Sequence, residues 1–169
     1  MISAEYLALQ EQMHREKEGY GISGARYAKQ VASLAKKLPA HTILDYGCGK
    51  RLLQKALGYA ITNYDPAIPE FAARPKGRFD LVVCTDVMEH IEPEHEEAVI
   101  DDIANLTETA AFFSISLQRA SKHLPDGRNA HINLKSIGQW IEALERRFIV
   151  VNVVRESEGA FYCTCEVRK

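Results

Sequence analysis

No apolar run in this chain approaches the roughly 20 residues that a membrane-spanning helix requires. The first stretch carries Glu5, Glu11, Glu16 and Glu18, which is no signal-peptide pattern. Internal repeats, low-complexity tracts and linker-like segments are missing, so a single domain over 1–169 is expected. A basic excess is lacking too. The formal net charge is −2, which argues against a general nucleic-acid binder. Cysteine is sparse, at positions 48, 84, 163 and 165. Three of these fall in expected buried strands and one in a glycine turn, so free thiols in a reducing cytoplasm are expected rather than a disulfide framework. Cys163 and Cys165 share one face of a strand, yet no further ligands stand at metal-motif spacing. No metal centre and no membrane partner are therefore expected.

What is present begins with Ile43-Leu44-Asp45-Tyr46-Gly47-Cys48-Gly49-Lys50. It reads as a buried strand ending in an acidic residue and a glycine-rich turn. Glycine at Gly47 and Gly49 lets backbone approach a ligand closely, because no side chain intervenes. A helix N-terminus just after the turn is a further place for an anionic group. Asp65 ends the next strand-like run, 20 positions after Asp45. That spacing suits a carboxylate that accepts hydrogen bonds from the two hydroxyls of a ribose. The pair points to a nucleoside-containing cofactor. A nicotinamide dinucleotide fits poorly, because Leu52 stands where its third fingerprint glycine belongs.

The remaining pattern alternates helix and strand. Helices are expected at 3–18, 25–38, 51–58, 93–107 and from the capping box Ser136-Ile137-Gly138-Gln139 onward. Strands are expected at 42–46, 60–64, 79–85, 110–116, 148–154 and 160–167. Trp140 reads as core. The last two strands are joined by a turn at 156–159 and must be antiparallel. The fold class is thus α/β, a doubly wound sheet with helices on both faces. Asp45, Asp65 and Asp86 each lie at or just past a strand end and should rim one crevice. Two charge features stand out. Nine acidic residues and no Lys or Arg fall between Asp86 and Glu108. The long loop 117–135 holds Arg119, Lys122, Arg128 and Lys135 beyond a single acid, Asp126. It is either an ordinary polar loop or one that attracts an anionic acceptor.

These residues resemble the class I S-adenosylmethionine-dependent methyltransferases. The run from Ile43 to Gly49 matches the family's first motif, Tyr64-Asp65-Pro66 its ribose-binding acidic position, and Phe79 through Asp86-Val87-Met88-Glu89-His90-Ile91 its fourth-strand motif. The resemblance covers roughly residues 40–168. Pro125–His131 and the Gly19-Tyr20-Gly21 turn look similar to a small group of phage and bacterial methyltransferase-like proteins with no assigned substrate. Two departures stand out. Arg51 occupies the family's third glycine position, and the segment between Asp65 and Phe79 is too short for the usual third strand and its helix. The expectation is a Rossmann-like sheet trimmed to about six strands, its last strand antiparallel, with 1–38 as a helical lid and 40–169 as the core. The open edge left by the missing strand leaves a homodimer conceivable.

The resemblance implies S-adenosylmethionine as cofactor. Its site would comprise Asp45, Gly47, Cys48, Gly49, Asp65, Pro66, Asp86 and Val87, with Tyr20 as a cover and Ile68 or Phe71 against the adenine. Each has a plainer reading: Asp45 and Asp86 as turn caps, Asp65 as a solvated turn residue. For catalysis the candidates are His131, in the long loop on the acceptor side, and His90. Their plainer readings are a loop anchor and a packed histidine. Methyl transfer mainly needs alignment, and a base only for a hydroxyl or protonated amine. No Asn/Asp-Pro-Pro-Tyr/Phe motif follows the fourth-strand motif, which argues against a nucleobase amine as acceptor. The expected activity is transfer to an O or N of a small-molecule or terminal polar group, anionic acceptors included. The alternative is an inactive cofactor-binding or protein-interaction module on the same fold.

Overall fold

The computed structural model describes residues 2–168. Six strands form one sheet in the order β2-β1-β3-β4-β6-β5. They are β1 (Ile43–Tyr46), β2 (Thr62–Tyr64), β3 (Phe79–Thr85), β4 (Thr107–Ser116), β5 (Phe148–Ser157) and β6 (Ala160–Val167). The first four run parallel, and β6 lies antiparallel between β4 and β5. This is the expected trimmed, doubly wound sheet. The third strand is missing: between β2 and β3 the chain makes only a short 3-10 turn at Pro69–Phe71, which leaves β2 at the edge.

The two faces follow from the period-2 alternation of the buried strands. Ile43, Leu81, Val83, Ala110 and Phe112 point to one face, where α2 (Ala28–Lys37) and α3 (Leu52–Leu57) bring Val31, Ala35 and Leu53. Leu44, Val82, Cys84, Ala111 and Phe113 point to the other. There α4 (Glu96–Leu106) and α5 (Ile137–Leu144) bring Val99, Ile103, Trp140 and Leu144. The expected capping box opens α5, with Gln139 N donating to Ser136 Oγ at 3.3 Å. All four cysteines are free and buried. No helix among the described residues is long and apolar enough to cross a membrane.

A third, smaller core lies over the strand ends. It joins Tyr6, Met13 and Tyr20, from α1 (Ala4–Glu16) and the turn after it, to Leu124 and Ala130 of the 117–135 loop. The second helix and α4 begin at Ala28 and Glu96, each after a 3-10 turn, β2 begins at Thr62, and two strand boundaries shift as well. Strand β4 begins at Thr107 rather than 110, because Thr107 Oγ1 donates to Ile103 O at 2.7 Å and turns the last residues of α4 directly into strand. Strand β5 runs on to Ser157, so the turn to β6 is Glu158-Gly159 alone.

Candidate functional site

The carboxyl ends of β1, β2, β3 and β4 open into one cavity of about 560 Å³, within the range of small-molecule sites. Eleven of the residues named from the sequence line it: Asp45, Gly47, Cys48, Gly49, Asp65, Pro66, Asp86, Val87, Tyr20, His90 and His131. Strand ends explain the convergence, since each of Asp45, Asp65 and Asp86 sits where a parallel strand turns away from the sheet.

The glycine turn has no room for side chains. A Cβ on Gly47 (φ +78°) would meet Val87 Cγ2 at 2.4 Å, and one on Gly49 (φ +48°) would meet Gly21 O at 2.5 Å. The second contact is backbone against backbone, for Lys50 N donates to Gly21 O at 2.9 Å and ties the N-terminal turn onto the glycine loop. Gly49→Ala is therefore expected to destabilise by about 2–4 kcal/mol, combining left-handed strain with overpacking. Urea unfolding checks it, and a loss below that range would mean the turn yields easily. Arg51 itself adopts φ +58°, which is why glycine is usual there; its guanidinium lies 4.8 Å from the centroid of the Phe71 ring.

Two expectations need correction. The turn does not present free N–H groups to an anion. Gly47 N and Cys48 N donate to Tyr64 O, Gly49 N to Asp65 Oδ2, and Arg51 N to Cys48 O. The helix that follows, α3, is only six residues long. Nor do Ile68 and Phe71 face the cavity: Phe71 is covered by Arg51, and Pro66 and Ala67 form that wall.

Asp65 is buried and holds the turn. Gly49 N donates to its Oδ2 and Ala67 N to its Oδ1, each at 3.0 Å. A carboxylate offers about four lone-pair sites, so one remains on each oxygen. His14 Nε2 stands 3.8 Å from Oδ2, with its imidazole pushed below the ordinary range by burial. Asp45 is 2 % exposed, and burial, with Asp65 as the second cause, raises its carboxyl to about 7. Burial and the same two carboxylates keep Cys48 a thiol. Asp86 is held at φ +54° with Ser114 Oγ donating to its Oδ1 at 3.0 Å. Tyr20 OH donates to Gln10 Oε1 at 2.6 Å and lies 3.3 Å from His90 Nδ1.

At the other end are the histidines. His90 Nδ1 is 2.8 Å from Ala130 O, and His131 Nδ1 is 2.6 Å from Gln118 O. Asn129 sets this loop, since its Oδ1 accepts from Ala120 N and His131 N. Burial, and His131 second, push His90 well below the usual imidazole range. Arg119 and Lys122 line the cavity with no carboxylate partner among the described residues, whereas Arg128 is taken by Asp126 at 2.7 Å and leaves the expected basic group. Sequence reasoning missed Tyr6, Gln10 and His14. They follow one another at i, i+4 and i+8 on α1. Their Tyr6 OH, Gln10 Nε2 and His14 Nδ1 are buried in the cavity wall without hydrogen-bond partners among the described residues. Such groups are rare away from ligand sites. The legible signal was a polar stripe on a helix that also carries buried Met13.

A family model described as a methyltransferase domain matches residues 13–148. Among curated proteins none matches. Solved structures share the fold. The Burkholderia thailandensis 1,6-didemethyltoxoflavin-N1-methyltransferase, with bound 1,6-didemethyltoxoflavin and S-adenosylhomocysteine, superposes with a TM-score of 0.72 at 17 % identity, covering 100 % of this chain and 92 % of its own. A S-adenosylmethionine-dependent methyltransferase from Clostridium acetobutylicum gives 0.67 at 10 % identity, covering 96 % and 98 %. Magnesium protoporphyrin IX methyltransferase from Synechocystis with bound S-adenosylmethionine gives 0.59 at 16 %, covering 85 % and 79 %.

Proposed function

This chain belongs to the methyltransferase-domain family, and on that premise we propose that it uses S-adenosylmethionine to methylate an O or N of a small polar acceptor. The observation that carries the reading is Asp65: two of its lone pairs are spent on Gly49 N and Ala67 N, and the two left over suit a ribose diol. The cavity fits the rest of that cofactor. Asp45 is the carboxylate available to an ammonium group, Gly47 provides bare backbone, and Pro66 and Ala67 offer a flat apolar wall. When bound, S-adenosylmethionine supplies a methyl carbon activated by its sulfonium. The chain's own residues then align the acceptor and exclude water. Tyr20, α1 and the 117–135 loop close over the strand ends.

The acceptor end combines His90, His131, Arg119 and Lys122. Two cations without carboxylate partners support an acceptor that carries negative charge. Each imidazole donates Nδ1–H to a backbone carbonyl and so keeps an acceptor lone pair on Nε2. A small molecule fits this end better than a polymer, because the third core roofs it. The toxoflavin and porphyrin enzymes of the same fold act on small molecules, which supports the same class here.

Calorimetric titration tests the reading. S-adenosylmethionine and S-adenosylhomocysteine are expected to bind at micromolar concentration, and NAD not at all. Transfer of a labelled methyl group to a panel of hydroxy acids, phenols and amines then finds the acceptor class. Failure of both sulfur compounds to bind would sink the proposal.

A further inference from the structure

Deeper in the acceptor end lies a cluster that alignment alone does not use. One ligand-type atom from each of Glu89, His90 and His131 lies within 4.8 Å of the others. Glu89 is fully buried in the turn after β3. Its Oε1 accepts from Ser116 N at 2.9 Å, while Oε2 is buried without a partner among the described residues. The two rings stand edge to face with centroids 4.7 Å apart. Because a carbonyl only accepts, the bonds to Ala130 O and Gln118 O put the proton of each ring on Nδ1 and the lone pair on Nε2. That is the tautomer of a metal-ligating histidine whose second nitrogen is held by backbone.

No hydrogen bond joins any two of these three side chains among the described residues. Two imidazoles and a buried carboxyl group thus converge without a hydrogen bond between them. Nothing along the chain marks these residues at metal-motif spacing. The fold instead joins positions 89 and 90 to 131 through the loop that Asn129 anchors.

We propose that Glu89, His90 and His131 hold one divalent transition-metal ion, with open coordination positions that take an oxygen of the acceptor. Two nitrogens and one oxygen favour zinc, iron(II) or cobalt(II) over magnesium or calcium, which require more oxygens. Bonds of about 2.0–2.2 Å at tetrahedral angles would set the ligand atoms about 3.3–3.6 Å apart, a span compatible with the 4.8 Å within which the three atoms lie. An ion here lowers the pKa of a bound hydroxyl, whose proton leaves to solvent. His131 is then a ligand rather than the base. This inference rests on the methyl-transfer reading only for the acceptor; the ion site itself is testable alone.

The test uses chelator-treated full-length protein, titrated with cobalt(II) and followed by its visible ligand-field absorption. S-adenosylhomocysteine binding is measured in parallel by calorimetry. Expected is one saturable equivalent, displaced by zinc. It should weaken at least about 50-fold in both Glu89→Gln and His131→Ala, the transition-metal ligand sets being sensitive to loss of one donor. His131→Ala, on the half-exposed loop, guards against a folding defect in the buried variant and should keep S-adenosylhomocysteine affinity. No saturable cobalt binding in protein that binds S-adenosylhomocysteine would overturn the ion site and leave the methyl-transfer reading standing. Binding that persists in His131→Ala, or a thiolate charge-transfer band, would also overturn it by placing the ion elsewhere. Protein that binds cobalt as expected but neither sulfur compound would keep the ion site and remove the methyl-transfer reading.

Discussion

Asp65→Ala is expected to lose S-adenosylhomocysteine binding by at least about 100-fold, since two charge-assisted hydrogen bonds of about 1.5–3 kcal/mol each disappear. The same substitution strips Gly49 N and Ala67 N of their acceptor. Each N–H left buried and unpaired adds about 1–3 kcal/mol of instability, so the free protein should also unfold at lower urea. Asn does not rescue. Both carboxylate oxygens accept from backbone N–H groups, and an amide has only one oxygen to offer. One N–H would then face the amide's own donor. Asp65→Asn is expected to bind nearly as poorly as Asp65→Ala, which separates this role from that of a simple negative charge. Calorimetry of both variants, with urea unfolding to confirm that they are folded, checks the pair. A folded Asp65→Ala that binds within threefold of wild type would refute the ribose role.

Much of this was readable along the chain because the central strands are covered on both faces. The near-continuous apolar run Phe79–Thr85 is typical of a strand covered on both faces, and its alternation with helices gives the α/β class. Strand β2 was harder. Thr62 is exposed and Asn63 half-buried at the open edge, so its position came from Asp65 rather than from apolar pattern. The acidic residues at strand ends were legible for the same topological reason. What lay hidden depends on long-range closure. The stripe Tyr6, Gln10 and His14 looks like an ordinary polar helix face until α1 is laid over the strand ends. The N–H groups of the glycine turn looked free until Tyr64 O, Gly21 O and Asp65 were brought to them. Glu89, His90 and His131 meet only because the loop after β4 folds back. Short-range spacing carries no trace of that.

Asp45 should show opposite effects on binding and stability. Its carboxyl rises from an ordinary value of 3.8 to about 7, through burial first and the neighbouring Asp65 second. In the unfolded chain it ionises normally. Below the unfolded value both states keep the proton, and the residue costs nothing. Between the two values the unfolded state gives up its proton while the folded state holds it, so stability falls as pH rises. Above about 7 the penalty is complete. Asp45→Asn removes it, and the free protein should gain about 2 kcal/mol, or about 5 °C in Tm, at pH 8, with no gain near pH 3.5. Yet the ionised carboxylate is the form that an ammonium group requires. S-adenosylmethionine affinity of the wild type should therefore hold above pH 7 and weaken as pH falls below it, by up to about tenfold per pH unit. Asp45→Asn should bind weakly at every pH, without that slope. A protein that is stabler without its carboxylate and blind without it would mark Asp45 as retained for the ligand. Unchanged Tm at pH 8 together with an unchanged pH profile of binding would assign Asp45 to the turn alone.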